Sequence, residues 1–219
     1  NDKYGTDAVR FGLLVAAAPG NDIALSEEVI LRGRKFANKI WNASGLLFSK
    51  LPNEPKRESL ADRWIGSRLN TAIDRANKSF EAHRYHEAAD AVWTFFWDEF
   101  CDWYLELKKS DTDWGFAYEA HEKALLLLHP LMPFITEELW HRRGHETSIA
   151  LERYPQYDPA LHDPEAEREM KLLQDVVTQI RGLRADHKID KKTKLTGTLA
   201  VEGVAPVEKI EQLANVALS

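Results

Sequence analysis

The chain has 219 residues, of which 44% are hydrophobic and 29% charged, with a formal net charge of −6 at neutral pH. That length is enough for one or two domains with a real core. The excess of acid excludes a surface coated in cation for nonspecific nucleic-acid binding, so any RNA contact has to be local. A single cysteine, Cys101 in "FWDEFCDWY", offers neither a disulfide nor a cysteine metal site and reads as a buried thiol in a reducing compartment. No apolar run approaches the roughly 20 residues of a membrane span and no signal sequence opens the chain, so a cytoplasmic protein is expected. The start at Asn1 and the close at "NVALS" read as the ends of a piece of a longer protein.

Hydrophobic periodicity predicts long amphipathic helices with short polar joints, a mostly α fold. Thr6 or Asp7 caps a first helix to about Ala18, where "PGNDI" breaks it, and residues 1–25 form a joint. Ser26 with Glu27 and Glu28 opens a second helix that lasts to "KLPNEPK". A third covers about 60–82. A fourth, about 86–109, is dense in aromatics and is expected at the centre of the bundle. A fifth runs from about 115 to His129, where "HPLMP" stops it and Pro133 starts the next. The turn-rich stretch 144–163 reads as a linker that closes a helical bundle over 26–150. Beyond it, a helix from about Glu165 to His187, a strand in "LTGTLAV" and a helix from about Val207 predict a small α+β unit within 151–219.

The second helix carries "RGRKFANKIWNAS". At about 100° per residue, Val29, Ile30, Gly33, Phe36, Ala37, Ile40, Trp41, Ala43, Leu47 and Phe48 fall on one wide side, which places Trp41 in the core. Arg32, Arg34, Lys35, Asn38, Lys39 and Asn42 fall on the other. Beyond Glu28 no acid of the same helix joins them, which predicts an unneutralised cationic wedge. The fourth helix instead carries Glu87, Asp90, Asp98, Glu99, Asp102 and Glu106, which would repel a polyanion. Exposed lysines and arginines are commonly just solvated. Asn38 and Asn42, however, are mediocre helix formers at i and i+4 beside Arg34, and their amides suit base edges or sugar hydroxyls of a structured RNA loop.

Four stretches, "KYGTDAVRF", "FANKIWNAS", "FWDEFCDWYLE" and "LLHPLMPFITEELW", together resemble the C-terminal part of the valyl-tRNA synthetases. The last is shared loosely with the isoleucyl and leucyl enzymes. The resemblance implies an anticodon-binding helical bundle whose "FANKIWNAS" helix reads the anticodon of valine tRNA. Arg34, Asn38 and Asn42 are then candidate base readers, and Arg32, Lys35 and Lys39 candidate phosphate contacts. Relatives often carry an arginine after "NAS"; this chain has Gly45, so that contact is not carried over. Trp103 sits where related synthetases place an aromatic near the anticodon, although core packing explains a mid-helix tryptophan equally well.

The family's ATP-site motifs, HIGH-like and KMSKS-like, are absent: "RRGH" at 142–145 and "KKTK" at 191–194 do not match them in sequence or place. The chain is therefore expected to be no enzyme and to hold no cofactor, with ATP and Mg²⁺ belonging to the parent ligase. His141 and His145, at i and i+4, lack a third ligand and read as a surface pair rather than a metal site. In "IRGLRADHKIDKKTK", Arg181, Arg184, Lys188, Lys191, Lys192 and Lys194 form the densest basic patch, suited either to a tRNA stem or to the macrodipole at a helix end. The expected partner is tRNA, with no DNA and no membrane, and the expected state a monomer. The alternatives are an isoleucyl enzyme and a helical module that contacts an acidic protein.

Overall fold

A computed structural model describes residues 3–16, 26–109, 111–190 and 193. Its regular structure is helical: α1 (Thr6–Ala16), α2 (Glu27–Phe48), α3 (Leu60–Glu81), α4 (Tyr85–Trp93), a π-helical run (Thr94–Tyr104), α5 (Leu105–Lys108), α6 (Gly115–Leu128), α7 (Pro133–Arg142) and α8 (Pro164–Asp186). No strand occurs among the described residues. The predicted strand at 195–201, the last helix from Val207 and three lysines of the basic patch, Lys191, Lys192 and Lys194, lie outside them.

Side-chain caps open α3 and α8. Ser59 accepts the amide of Asp62 at 3.1 Å and caps α3, and Asp163 accepts the amide of Ala166 at 2.9 Å just before Pro164 opens α8. The α7 start is different. Met132, in the cap position, makes no side-chain cap, and the amides of Phe134 and Ile135 donate instead to Asp7 of α1, at 3.3 and 2.7 Å. Arg10 of α1 donates to the Pro130 carbonyl at 3.3 Å, so α1 grips the α6–α7 corner twice. Burial raises the Asp7 carboxyl above its ordinary pKa, against the opposing pull of the two amides.

The predicted fourth helix is continuous from 85 to 108 but changes geometry along its length. Through the π run, i→i+5 hydrogen bonding advances each side chain by less than the α-helical step. An α-helical wheel therefore slips there. One core joins every helix, with Phe36, Ile40 and Leu47 of α2, Ile65 and Leu69 of α3, Phe95, Phe96 and Phe100 of the π run, and Leu125 and Leu128 of α6 all buried. Full burial of each such side chain contributes about 1.5–3 kcal/mol. The stretch 144–163 holds two 3₁₀ turns and lies along α3: Asn70 donates to the Asp158 carbonyl at 2.8 Å and Asn77 to the Pro155 carbonyl at 3.0 Å. Arg63 of α3 pairs with Asp163 at 2.8 Å, and Met170, Leu173 and Val177 carry α8 into the same core.

A buried polar cluster ties the first turn of α3 to the end of α5. Lys108 is 1% exposed and sits 3.3 Å from Asp62 and 2.7 Å from Asp111, while the Tyr104 hydroxyl donates to Asp62 at 2.6 Å. Each charge taken from water here has an opposite partner, the condition under which burial is tolerated.

Candidate nucleic-acid interface

The core side of α2 forms as the periodicity predicts, through Gly33, Phe36, Ile40, Ala43 and Leu47, with Ser44 added. The Ser44 hydroxyl lies 2.8 Å from the Ile40 carbonyl and 2.8 Å from His121 Nε2 on α6. If Ser44 donates to the carbonyl, His121 donates through Nε2, and its buried Nδ1 is left without a partner. Burial lowers the pKa of this imidazole to about 3, and the Arg143 cation nearby acts in the same direction. Helix α2 is thus fastened from behind by a neutral histidine.

The polar side of α2 divides into two parts. Arg32 lays its guanidinium over Trp93, 4.5 Å from the ring centre, and Lys39 lies 3.9 Å from that of Trp97. The two indoles stack on each other at 4.7 Å, nearly parallel. Lys39 also pairs with Asp102 at 2.6 Å. The wedge is therefore not unneutralised along this flank, because the acid that balances it comes from the neighbouring helix, which a wheel of α2 alone does not contain. The acids of that neighbour are also less free than predicted: Glu99 is half-buried against Arg68 at 2.8 Å, Asp90 faces Arg75 at 3.7 Å and Glu106 pairs with Lys109 at 2.6 Å.

The other part is open. Arg34, Lys35, Asn38 and Asn42 are exposed, and Arg34 donates to the Lys3 carbonyl at 3.3 Å. Among the described residues neither asparagine amide has a hydrogen-bond partner. Trp41 belongs to this part and not to the core: it is 39% exposed, with Arg142 of α7 stacked 4.4 Å from its ring centre. Its direction on α2 lies roughly 120° from the centre of the buried side. There it borders Asn38 and Asn42. Sequence reasoning misses the pairing because Arg142 is about 100 residues away in the chain.

Trp103 is half-buried and packs on the core, with the Arg181 guanidinium 5.5 Å from its ring centre. Two of the sequence-derived candidates therefore meet, away from the α2 stripe in sequence and on different helices. Arg184 donates to the carbonyls of Asp190 and Thr193, at 3.0 and 2.6 Å, and so folds the chain over the end of α8. Cys101 is partly buried and its thiol is pushed up to about 12 by burial, which leaves it unreactive at neutral pH.

His141 and His145 face carboxylates separately, His141 meeting Glu137 at 3.0 Å and His145 meeting Glu122 at 3.2 Å while stacking on Trp140. Among the described residues no group of three His, Cys, Asp or Glu side chains converges as a metal site, and no helix is long and apolar enough to cross a membrane.

Residues 62–199 match the family model described as the anticodon-binding domain of tRNA ligase. The chain belongs to that family. It is 54% identical over 206 residues to the valine–tRNA ligase of Solibacter usitatus, covering 90% of this chain and 24% of that protein. The valine–tRNA ligase of Carboxydothermus hydrogenoformans is 42% identical, over 84% of this chain and 23% of its own length. That of Aquifex aeolicus is 33% identical, over 98% and 21%. The chain thus spans about a quarter of the length of the curated relatives it matches. The fold of this anticodon-binding domain is also that of part of a solved LeuRS from Agrobacterium radiobacter K84, captured in a ternary complex with tRNA and LeuAMS. The TM-score is 0.61 at 23% identity, over 74% of this chain and 20% of that one.

Proposed function

We propose that this chain is the anticodon-binding part of a valine–tRNA ligase and that the exposed stripe of α2 reads the anticodon loop of valine tRNA. The observation that carries the reading is 54% identity, across 90% of the chain, to a protein named as that ligase. The same relationship favours the valyl over the isoleucyl assignment. The open stripe supports the placement on α2, since it presents charge through Arg34 and Lys35 and unpaired amides through Asn38 and Asn42 on one rigid helix. Charge positions an RNA; amides distinguish its bases.

In the parent enzyme the reaction is activation of valine by ATP to valyl-adenylate, followed by transfer to the terminal ribose of tRNA. ATP and Mg²⁺ are held outside this chain, which itself catalyses nothing, acts as a monomer in the cytoplasm and contributes recognition. Valine-dependent pyrophosphate exchange by the 219-residue chain above background would contradict this.

The decisive experiment is a binding titration of alanine variants against valine tRNA and an anticodon-swapped tRNA at two salt concentrations. Lys35→Ala should weaken both RNAs equally and flatten the slope of log affinity against log salt by up to about one. Asn38→Ala, Asn42→Ala and Arg34→Ala should cost on the order of 1–3 kcal/mol toward valine tRNA and far less toward the swapped one. Uniform losses for both RNAs would make α2 an electrostatic anchor only. Salt-independent or absent tRNA binding would favour a protein-interaction module.

A further inference from the structure

The motif "WHRRGH" at the end of α7 matches no ATP-site sequence, yet its first arginine is placed on the reader helix. Arg142 stacks over Trp41, and its Nε donates to Glu138 at 2.7 Å. Among the described residues its two terminal nitrogens have no hydrogen-bond partner. The side chain is 53% exposed, so much of the guanidinium that lies over the indole is open to solvent. Trp41 is 39% exposed within a polar stripe, and tryptophan, with an apolar body and one N–H, is a residue type enriched where surfaces make contact. One helical turn beyond Trp41, a Cβ built on Gly45 would meet nothing within 4 Å, so the space there is free as well.

We infer that the Arg142–Trp41 stack is a base-stacking site of the α2 interface, taking one unpaired RNA nucleotide on the outer face of the guanidinium beside the amides of Asn38 and Asn42. The inference rests on the proposal that α2 binds an RNA loop, and it adds a second helix, α7, to that surface. Unpaired bases stack on guanidinium planes as they do on aromatic rings. A phosphate is the poorer occupant here. Glu138 already balances the Arg142 charge, and Glu137 stands on the same turn of α7. What remains unused is the plane and the outward N–H groups. The indole beneath fixes that plane, so less freedom is lost when a base settles on it.

The test uses the full chain and an anticodon stem-loop RNA, with each loop position replaced in turn by an abasic site. Arg142→Lys keeps the charge and removes the plane; Trp41→Phe keeps a ring of smaller area and serves as a folding-safe partner to Trp41→Ala. Arg142→Lys and Trp41→Ala should each lower affinity for the intact loop roughly 5- to 50-fold, with Trp41→Phe between them and wild type. The salt slope should not change. At one loop position the abasic RNA should bind wild type and Arg142→Lys equally, because the base that distinguishes them is gone. Wild-type affinity in Arg142→Lys, an equal loss on every abasic RNA, or a salt slope reduced by about one would each overturn the inference while leaving tRNA binding in place. If the wild-type chain shows no salt-dependent binding at all, the functional reading and this inference fall together.

Discussion

Lowering the pH from about 7 to about 5 should remove about 2 kcal/mol of folding stability through one side chain, His121. The imidazole is fully buried among Phe48, Phe96 and Phe100 and hydrogen-bonded to Ser44, with a folded pKa of about 3 against an ordinary value of 6.5. Below pH 6.5 the unfolded chain takes up a proton that the folded chain refuses. Stability from this group is therefore complete above pH 6.5 and declines as the pH falls towards 3, at about 1.4 kcal/mol per unit. From about pH 7 to about pH 5 roughly one and a half units of that window are crossed, which sets the magnitude. Urea unfolding at about pH 7, 6 and 5 of wild type and His121→Leu isolates the effect, since Asp7, His129 and the other shifted groups titrate in both. The variant's stability should fall by about 2 kcal/mol less than that of wild type over the interval. Parallel curves, within about 0.5 kcal/mol, would show that His121 is not held neutral or that the folded chain opens to protonate it.

Gly45→Ala should raise stability by about 0.5–1 kcal/mol, because the site is mid-helix with open space around it; thermal melting reads the gain. Gly33→Ala should do the reverse and cost about 1–3 kcal/mol, since its Cβ would approach the Ala8 carbonyl oxygen within 2.4 Å where α1 crosses α2, and a loss below about 0.5 kcal/mol would mean that the two helices part readily at their crossing. Lys39→Ala should flatten the salt dependence of tRNA binding less than Lys35→Ala does, because Asp102 already neutralises Lys39, and an Asp102→Ala background should abolish that difference.

Helix ends that depend on their own neighbours in the chain are legible from the sequence. Ser59 before Asp62 and Pro133 after "HPLM" carry their cap and break chemistry with them. The inner side of α2 is legible too, because Phe36, Ile40 and Leu47 recur at helical spacing. What the sequence hides depends on a second helix. A wheel puts Trp41 in the core because an aromatic near the edge of the buried arc reads as apolar, and only Arg142 arriving from α7 shows it facing out. Lys39 reads as free because Asp102 is invisible to a wheel of α2. The Ser44–His121 bond gives no signal at all, since a histidine in "YEAHEKALLLL" looks like one more polar position on an amphipathic helix. Through the π run even the period misleads.

The cap that Asp7 provides has a consequence for the order in which the molecule can be assembled. The bonds to Phe134 and Ile135 close loops of 127 and 128 residues, among the most distant pairings in the fold. Contacts of such separation are slow to find, because loop closure must be met before they repay it. On a ribosome the acceptor emerges first and waits, while the helix that needs it is made more than a hundred residues later. Until residues 133–142 return to α1, the first turn of α7 has no side-chain acceptor, so its amides should be the last of the bundle to gain protection in pulse-labelled hydrogen exchange and the first to lose it when α1 is deleted.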